Sequence, residues 1–345
     1  MLRTRARVNR VKILVLTFVT LMVGAATFFA QAPLTPETLP TRQLLSEAGP
    51  TFQVADNPQG RPLTVITYGD QRFTEPANVD DTDPRVRQYL VEQIARERPG
   101  AVVLNGDVPL TGTSALDYGV FLRESQAWRD AHLRIFPALG NHEFRGDPQA
   151  ALERWWITFP ELRNRRWYSA QLGARVYVLM LDSAASLLPG GYQQFWVEQQ
   201  LGSLPASVDF VIVSIHHPPV ADVQAHLYAD HNPRPNEIAL RDYFSRVAPK
   251  LHARILVSAG HIHNYERAER DGVTYLVSGG GGARPYFVER TPEDQYKSNL
   301  FPNYHYVKMT VEKDRLRGEM YRVENPEAAA LSVELKDKFD LTVKP

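Results

Sequence analysis

Residues 256–267 read LVSAGHIHNYER. An apolar run closes on Gly260, and two histidines, His261 and His263, flank a single isoleucine. A short run of this kind that ends at a glycine predicts a buried strand feeding a tight turn. Imidazoles at such a turn are either incidental turn residues or a pair of metal ligands, and histidine is the commonest metal-binding side chain. The turn alone does not separate the two readings.

The rest of the chain repeats the pattern. LTVITYGD ends at Asp70, AVVLNGD at Asp107, RIFPALGNHE at Asn141 and His142, and FVIVSIHHPP carries His216 and His217. Helical patterns lie between these runs. Asp83 and Pro84 open DPRVRQYLVEQIARERPG as N-cap and first helical residue, and Val86, Leu90 and Ile94 give it an apolar stripe. Helices are also predicted at Tyr192–Leu201 and in NEIALRDYFSRVA. RWYSAQLGARVYVLMLDS predicts two strands about Gly173, VTYLVSGGGG another, and YHYVKMTVEKDRLRGEMYRV a hairpin around Lys313-Asp314. The alternation is that of an α/β fold, in which ligands bind beyond the carboxyl ends of the strands. Polar donors at five such ends converge on one edge.

Composition narrows the class. The chain has 345 residues, 43% hydrophobic and 23% charged, enough for one large domain with a real core. The formal net charge of zero is uneven. Arg3, Arg5, Arg7, Arg10 and Lys12 fall in the first 32 residues, which hold no acid; without them 34 basic residues face 39 acidic ones. That balance argues against nucleic acid as a partner. The uncharged run Ile13–Ala30 behind this basic start, followed by Ala30-Gln31-Ala32, reads as a cleaved signal peptide or as an uncleaved membrane anchor. Either places the folded part outside the cytoplasm, secreted or periplasmic, with membrane contact only if the segment stays. The expected organisation is residues 1–32 as signal or anchor, 33–61 as a Pro-, Thr- and Gln-rich linker, and 62–345 as the domain. With no cysteine, any metal must be held by His, Asp, Asn and Glu.

Two divalent ions roughly 3.5–4 Å apart can hold both the attacking and the leaving oxygen of a phosphoryl displacement. Such a pair needs a bridging carboxylate, with imidazoles and an amide oxygen completing the sites. Asp70, Asp107, Asn141, His216, His261 and His263 supply that set. The ordered series Gly69-Asp70, NGD (105–107), GNHE (140–143), SIHHPP (214–219) and GHIHNYER (260–267) resembles the calcineurin-like metallophosphoesterases, and most nearly purple acid phosphatases and their bacterial relatives. The resemblance implies a four-layer α/β/β/α sandwich of two mixed sheets, with the metal site at the C-terminal strand ends. It implies that Asp107 bridges two divalent ions (Mn, Zn or Fe), that Asn141, His216 and His261 complete one site, and that Asp70 and His263 serve the other. His142 would face the phosphate and assist the leaving group, and a metal-bound hydroxide would attack. The implied activity is hydrolysis of a phosphorylated small molecule, a monoester in the acid-phosphatase manner. A phosphodiesterase on the same core and a non-catalytic binding protein are the alternatives.

The chain departs from the family twice. Arg72 stands where many members carry a histidine ligand, and Leu110 where purple acid phosphatases carry the tyrosine that holds ferric iron. Arg72 is suited either to phosphate oxygens or to a salt bridge with a neighbouring acid. His217 reads as a substrate contact or as a structural histidine, and Arg284, in GGGGARPYF, as a phosphate contact at the rim or part of a flexible turn. His226, His231 and His305 read as surface histidines. Trp155, Trp156 and Trp167 read as packing residues.

Overall fold

The computed structural model describes residues 47–56, 60–225 and 231–345. The segment expected as signal or anchor lies outside the described residues, as does His226. Among the described residues no helix is long and apolar enough to cross a membrane.

Two mixed sheets face each other. In chain order their strands are β1 (Ala48–Val54), β2 (Thr64–Tyr68), β3 (Ala101–Leu104), β4 (Ile135–Pro137), β5 (Trp167–Leu172), β6 (Val176–Met180), β7 (Phe210–Ile215), β8 (Arg254–Ala259), β9 (Tyr265–Arg270), β10 (Val273–Ser278), β11 (His305–Val311), β12 (Arg315–Val323) and β13 (Val333–Thr342). The seven-stranded sheet has the order β1-β5-β6-β7-β8-β10-β9, and the six-stranded sheet β13-β12-β11-β2-β3-β4. The segments β6-β7-β8-β10 and β2-β3-β4 are parallel. Their carboxyl ends carry the donors read from the sequence.

Both faces of these central strands are covered, which is why they read as continuous apolar runs. Val65, Val102, Val178, Ile212, Leu256 and Leu276, from both sheets, share one core. A hydrogen bond of 2.9 Å between the hydroxyls of Thr67 and Ser258 also joins the sheets. Helix α1 (Pro84–Glu97) packs Val86, Leu90 and Ile94 into that core. Asp83 caps it by accepting from Val86 N–H at 3.0 Å, and Pro84 opens it, as predicted. Helices α2 (Ala115–Glu124), α3 (Gln126–Asp130) and α4 (Pro148–Thr158) follow, and α2–α4 contribute Phe121, Trp128 and Trp155 to the same core. The other face of the seven-stranded sheet is covered by α5 (Tyr192–Gly202) and α6 (Pro235–Val247), through Val197, Leu201, Leu240 and Phe244. This is the expected four-layer sandwich.

Three strands were not anticipated. The stretch 33–61, expected as linker, contains β1, which pairs in parallel with β5. Phe52 and Val54 pack on the core, and that contact outweighs the turn-forming residues around them. β9 turns the residues after His263 into an edge hairpin with β10, and β13 extends the C-terminal hairpin. Trp155 and Trp167 are buried as expected, and Trp156 is half-buried with its indole N–H on Arg165 O.

Candidate metal centre

Asp70 and Asp107 follow β2 and β3 by a glycine-containing step, Asn141 lies four residues beyond β4, and His216 and His261 follow β7 and β8 directly or by one glycine. Several of these residues hold left-handed backbone. Asp70 has φ +63°, Arg72 +45°, Asp107 +57° and His261 +70°. Non-glycine residues adopt that region at a cost, and such strain clusters at functional sites. Small residues are required where the turns meet. A Cβ at Gly140 would lie 2.4 Å from Asp107 Oδ1, and one at Gly260 2.5 Å from Asp70 Oδ2.

The donors fall into two halves around Asp107. In the first described, the His216 half, Asn141 Oδ1 lies 2.9 Å from His216 Nε2 and 3.2 Å from His261 Nδ1, and His216 Nε2 lies 3.2 Å from Asp107 Oδ1. Atoms bound to one ion at about 2.0–2.2 Å lie roughly 3–3.5 Å from one another, so this set fits a single cation. The tautomer of His216 is fixed for the purpose. Its Nδ1–H donates to Asn105 O at 2.9 Å, which leaves the Nε2 lone pair facing Asn141 and Asp107. In the second, the His263 half, His263 Nε2 lies 3.5 Å from Asp70 Oδ1, an oxygen that is fully buried and has no hydrogen-bond partner. His263 Nδ1–H donates to Arg284 O at 2.5 Å, so here too Nε2 is the atom left to ligate a metal. A buried carboxylate oxygen without a partner marks a place for a cation.

The charge pattern agrees. Burial pushes Asp70 up to about 7, the mark of a carboxylate short of positive charge. Burial also opposes charge on Asp107, but His216, His142 and Arg72 more than offset it and hold that carboxyl well below the usual range. Burial drives His217, His261 and His263 down, so their rings are neutral, as ligands must be. His142 is pushed down to about 3, again chiefly by burial. Its Nδ1–H donates to Leu110 O at 2.6 Å, and its Nε2 is buried, without a hydrogen-bond partner, 3.6 Å from Asp107 Oδ2.

The three expected substrate contacts are placed differently from one another. Arg72 adopts the salt bridge that was its alternative reading, with Nη2 3.2 Å and Nε 3.4 Å from Asp107 Oδ2. His217 lies beside the centre, its ring centroid 4.2 Å from that of His261 and its Nδ1 2.7 Å from Ser183 Oγ. The Arg284 guanidinium turns away, donating to Val79 O from Nε at 2.8 Å and also from Nη2. Its contribution is the carbonyl that orients His263.

Sequence reasoning missed several residues. His231, expected on the surface, is buried, stacked on Tyr286 at 4.8 Å and edge-on to His261 at 5.3 Å. Tyr286 in turn stacks on His263 at 4.1 Å, with its hydroxyl 3.3 Å from His263 Nε2. His305, also expected on the surface, is fully buried between Ser278 Oγ (3.0 Å) and Asn303 O (2.9 Å). Glu143 accepts three backbone N–H groups, from Asp107 at 3.0 Å, Val108 at 2.8 Å and Gly140 at 2.7 Å, and so ties the Asp107 turn to the Asn141 turn. Its one sequence signal was its place behind Asn141 and His142.

Comparison with known proteins accords with this geometry. No curated protein matches the sequence significantly. The fold is similar to that of a purple acid phosphatase from yellow lupin (Lupinus luteus) seeds, with 16% identity, a TM-score of 0.65 and coverage of 84% of this chain. This chain spans 55% of the lupin protein's length. It is also similar to PhoD (11% identity, TM-score 0.59, 84% of this chain and 72% of that one). A third likeness is to GAP50, the anchor in the inner membrane complex of Plasmodium (14%, 0.55, 83% and 90%). These likenesses establish the fold. The calcineurin-like phosphoesterase model matches residues 80–265, more than half of the chain and every donor from Asp107 to His263. The chain belongs to the calcineurin-like phosphoesterase family.

Proposed function

We propose that this chain is a metal-dependent phosphoester hydrolase that acts on small phosphomonoesters outside the cytoplasm. The observation that carries the reading is the convergence of Asp107 Oδ1, Asn141 Oδ1, His216 Nε2 and His261 Nδ1 at ligand-to-ligand spacing. Divalent ions held by these residues, with Asp70 and His263 for a second, would supply Lewis acidity toward a phosphoryl oxygen and water. The chain's own groups do the rest. Asp107, with Oδ1 beside His216 and Oδ2 beside Arg72 and His142, would hold the centre together. His142 Nε2, a buried acceptor, takes the proton that the attacking water loses and gives it to the leaving oxygen. Arg72 presents a guanidinium beside Asp107, and Arg145, exposed and close enough to Arg72 for each to feel the other's charge, presents a second. Guanidinium groups suit the paired oxygens of a monoester. His217, His231 and Tyr286 wall the centre with ring faces and limit water. Burial pushes Tyr286 up to about 12, so it does this as a neutral hydroxyl.

The location rests on the basic and apolar N-terminal segment. Intact mass beginning near Pro33 supports secretion, and a membrane-bound chain retaining Met1–Ala32 supports the anchor. The catalytic reading is tested by assaying aryl phosphate and bis-aryl phosphate side by side on protein reloaded with manganese or zinc. Faster monoester turnover is expected, and the reverse ranking makes it a diesterase. A second reading, a non-catalytic binding protein, is favoured by one observation, the occupation of Asp107 Oδ2 by Arg72. GAP50, which has a similar fold, is named as an anchor. No turnover of either ester, with metal content verified, selects that reading.

A further inference from the structure

The second oxygen of Asp107, Oδ2, is already engaged by Arg72, whose charge also reaches His263. Arg72 approaches Oδ2 through two nitrogens, and its own N–H donates to Asp107 O at 2.9 Å, so main chain and side chain are tied to one residue. The left-handed backbone of Arg72, φ +45°, is part of the same constraint. The guanidinium is 12% exposed and feels Asp70 and Tyr286 as well as Asp107. It therefore stands among the groups that would surround a cation in this half. It also cannot shed its charge, because a guanidinium keeps its proton in proteins.

The contacts of the His216 half are different in kind. Its donor atoms face one another at 2.9–3.2 Å, and the His216 ring is oriented from behind by Asn105 O. The carboxylates of the whole centre are Asp70 and Asp107. One divalent ion balances them, and a second would be added beside a fixed positive charge at close range, where repulsion is substantial even at moderate effective dielectric.

We infer that Arg72 serves as a built-in cation in the His263 half, so that the chain holds one metal ion firmly, among Asp107, Asn141, His216 and His261, and admits a second only by displacing the guanidinium. The inference rests on the metal-dependent reading proposed above and concerns how that centre loads. It gives the substrate one ion and one arginine to face. Arg72 can leave Asp107 Oδ2 to bind phosphoryl oxygens or swing toward solvent, but it cannot share that oxygen with a metal and keep its contacts.

The test is calorimetric titration of chelator-stripped, full-length protein with Mn²⁺, checked by elemental analysis after gel filtration and done without substrate. Wild-type protein is expected to hold one ion per chain, with a second binding at least about 10- to 100-fold more weakly, the range over which neighbouring groups tune metal affinity. Arg72→His, which removes the fixed charge and offers a neutral donor, should tighten the second ion by a similar factor and leave the first unchanged. Arg72→Lys, which keeps the charge, should still hold one. Two equally tight ions in the wild type overturn the inference, and that arm needs no variant to fold. An Arg72→His protein that folds, by circular dichroism, yet binds its second ion no better overturns it too. The result is independent of turnover. One-ion stoichiometry in a protein that hydrolyses no phosphoester defeats the functional reading and leaves this one standing, whereas hydrolysis by a chain holding two equal ions does the opposite.

Discussion

His216 and His261 leave strands that are hydrogen-bonded on both sides, β7 between β6 and β8, and β8 between β7 and β10. His263 instead leads into β9, the edge strand of its sheet, and takes its orientation from a loop carbonyl, Arg284 O. Asp70 leaves an interior strand, but its turn leans on the loop after β10: Gly281 N–H donates to Gly69 O and Ala283 N–H to Asp70 O, both at 2.9 Å. The outcome is visible in the donor spacing. Neighbouring ligand atoms lie 2.9–3.2 Å apart in the His216 half, whereas His263 Nε2 and Asp70 Oδ1 are 3.5 Å apart with Arg72 on the shared carboxylate. The strand-end half has the closer donor spacing, and the loop-supported half is wider, beside an Asp107 oxygen engaged by Arg72.

The largest effect should come from the residue the halves share. Asp107→Ala is expected to lower turnover by more than about 10³-fold, at least the scale of losing a group that stabilises the transition state directly, and to release the firmly held ion. Activity and metal content per chain are measured together. An Asp107→Ala protein that still retains tightly held ions breaks the idea that the halves meet at this carboxylate.

The next pair of variants separates the halves. Asn141→Ala should weaken the firmly held ion by at least about 100-fold, the upper end of what losing even a hydrogen-bond partner behind a ligand costs, while Asp70→Ala should leave that ion in place. Equal losses in both variants would mean that the centre loads as one unit.

A third variant acts on the foundation of the His216 half. Glu143→Gln would place an amide NH₂ against one of three backbone donors and leave a buried group unpaired. The expected cost is about 2 kcal/mol of stability, read from denaturant midpoints. A change within a few tenths of a kcal/mol would mean that the Asp107 and Asn141 turns hold each other without it.

How much of this was legible in the sequence follows from the same contrast. Interior strands covered on both faces leave an unbroken apolar run ending in a donor, so Asp70, Asp107, Asn141, His216 and His261 could be read off the chain. The α/β class followed from their alternation with helices, and the four-layer sandwich from the family resemblance. Edge strands leave a weaker trace. β13, Val333–Thr342, alternates charged residues exposed on one side, and β1 lies among prolines and threonines. His231 and Tyr286 reach the centre from loops, which have no periodicity to betray where they fold back. His305 looked like a surface residue because a histidine at the start of a hairpin strand gives no sign of its burial. Arg72 was legible as a departure, but its partner became clear only once β2 and β3 lay side by side.

The smallest effect concerns the wall behind the His263 half. His305 N–H donates to Gly280 O, in the loop that supports Asp70, and burial pushes its ring down to about 4 from 6.5. The unfolded chain therefore binds a proton here before the folded one does, and stability falls as pH drops from about 6.5 toward 4. Going from pH 7 to pH 5.5 should cost about 1 kcal/mol through this residue. His305→Gln should remove that part of the slope, as measured by chemical denaturation at the two pH values. An unchanged slope would locate the acid sensitivity elsewhere.

The most direct test of the account as a whole strips the wild-type protein with a chelator and returns Mn²⁺ stepwise while aryl phosphate hydrolysis is followed. The account predicts no turnover in the stripped protein and its return as the ion binds, with the same titration silent in Asp107→Ala. Full turnover by protein shown to be metal-free, or none after verified reloading, would contradict it.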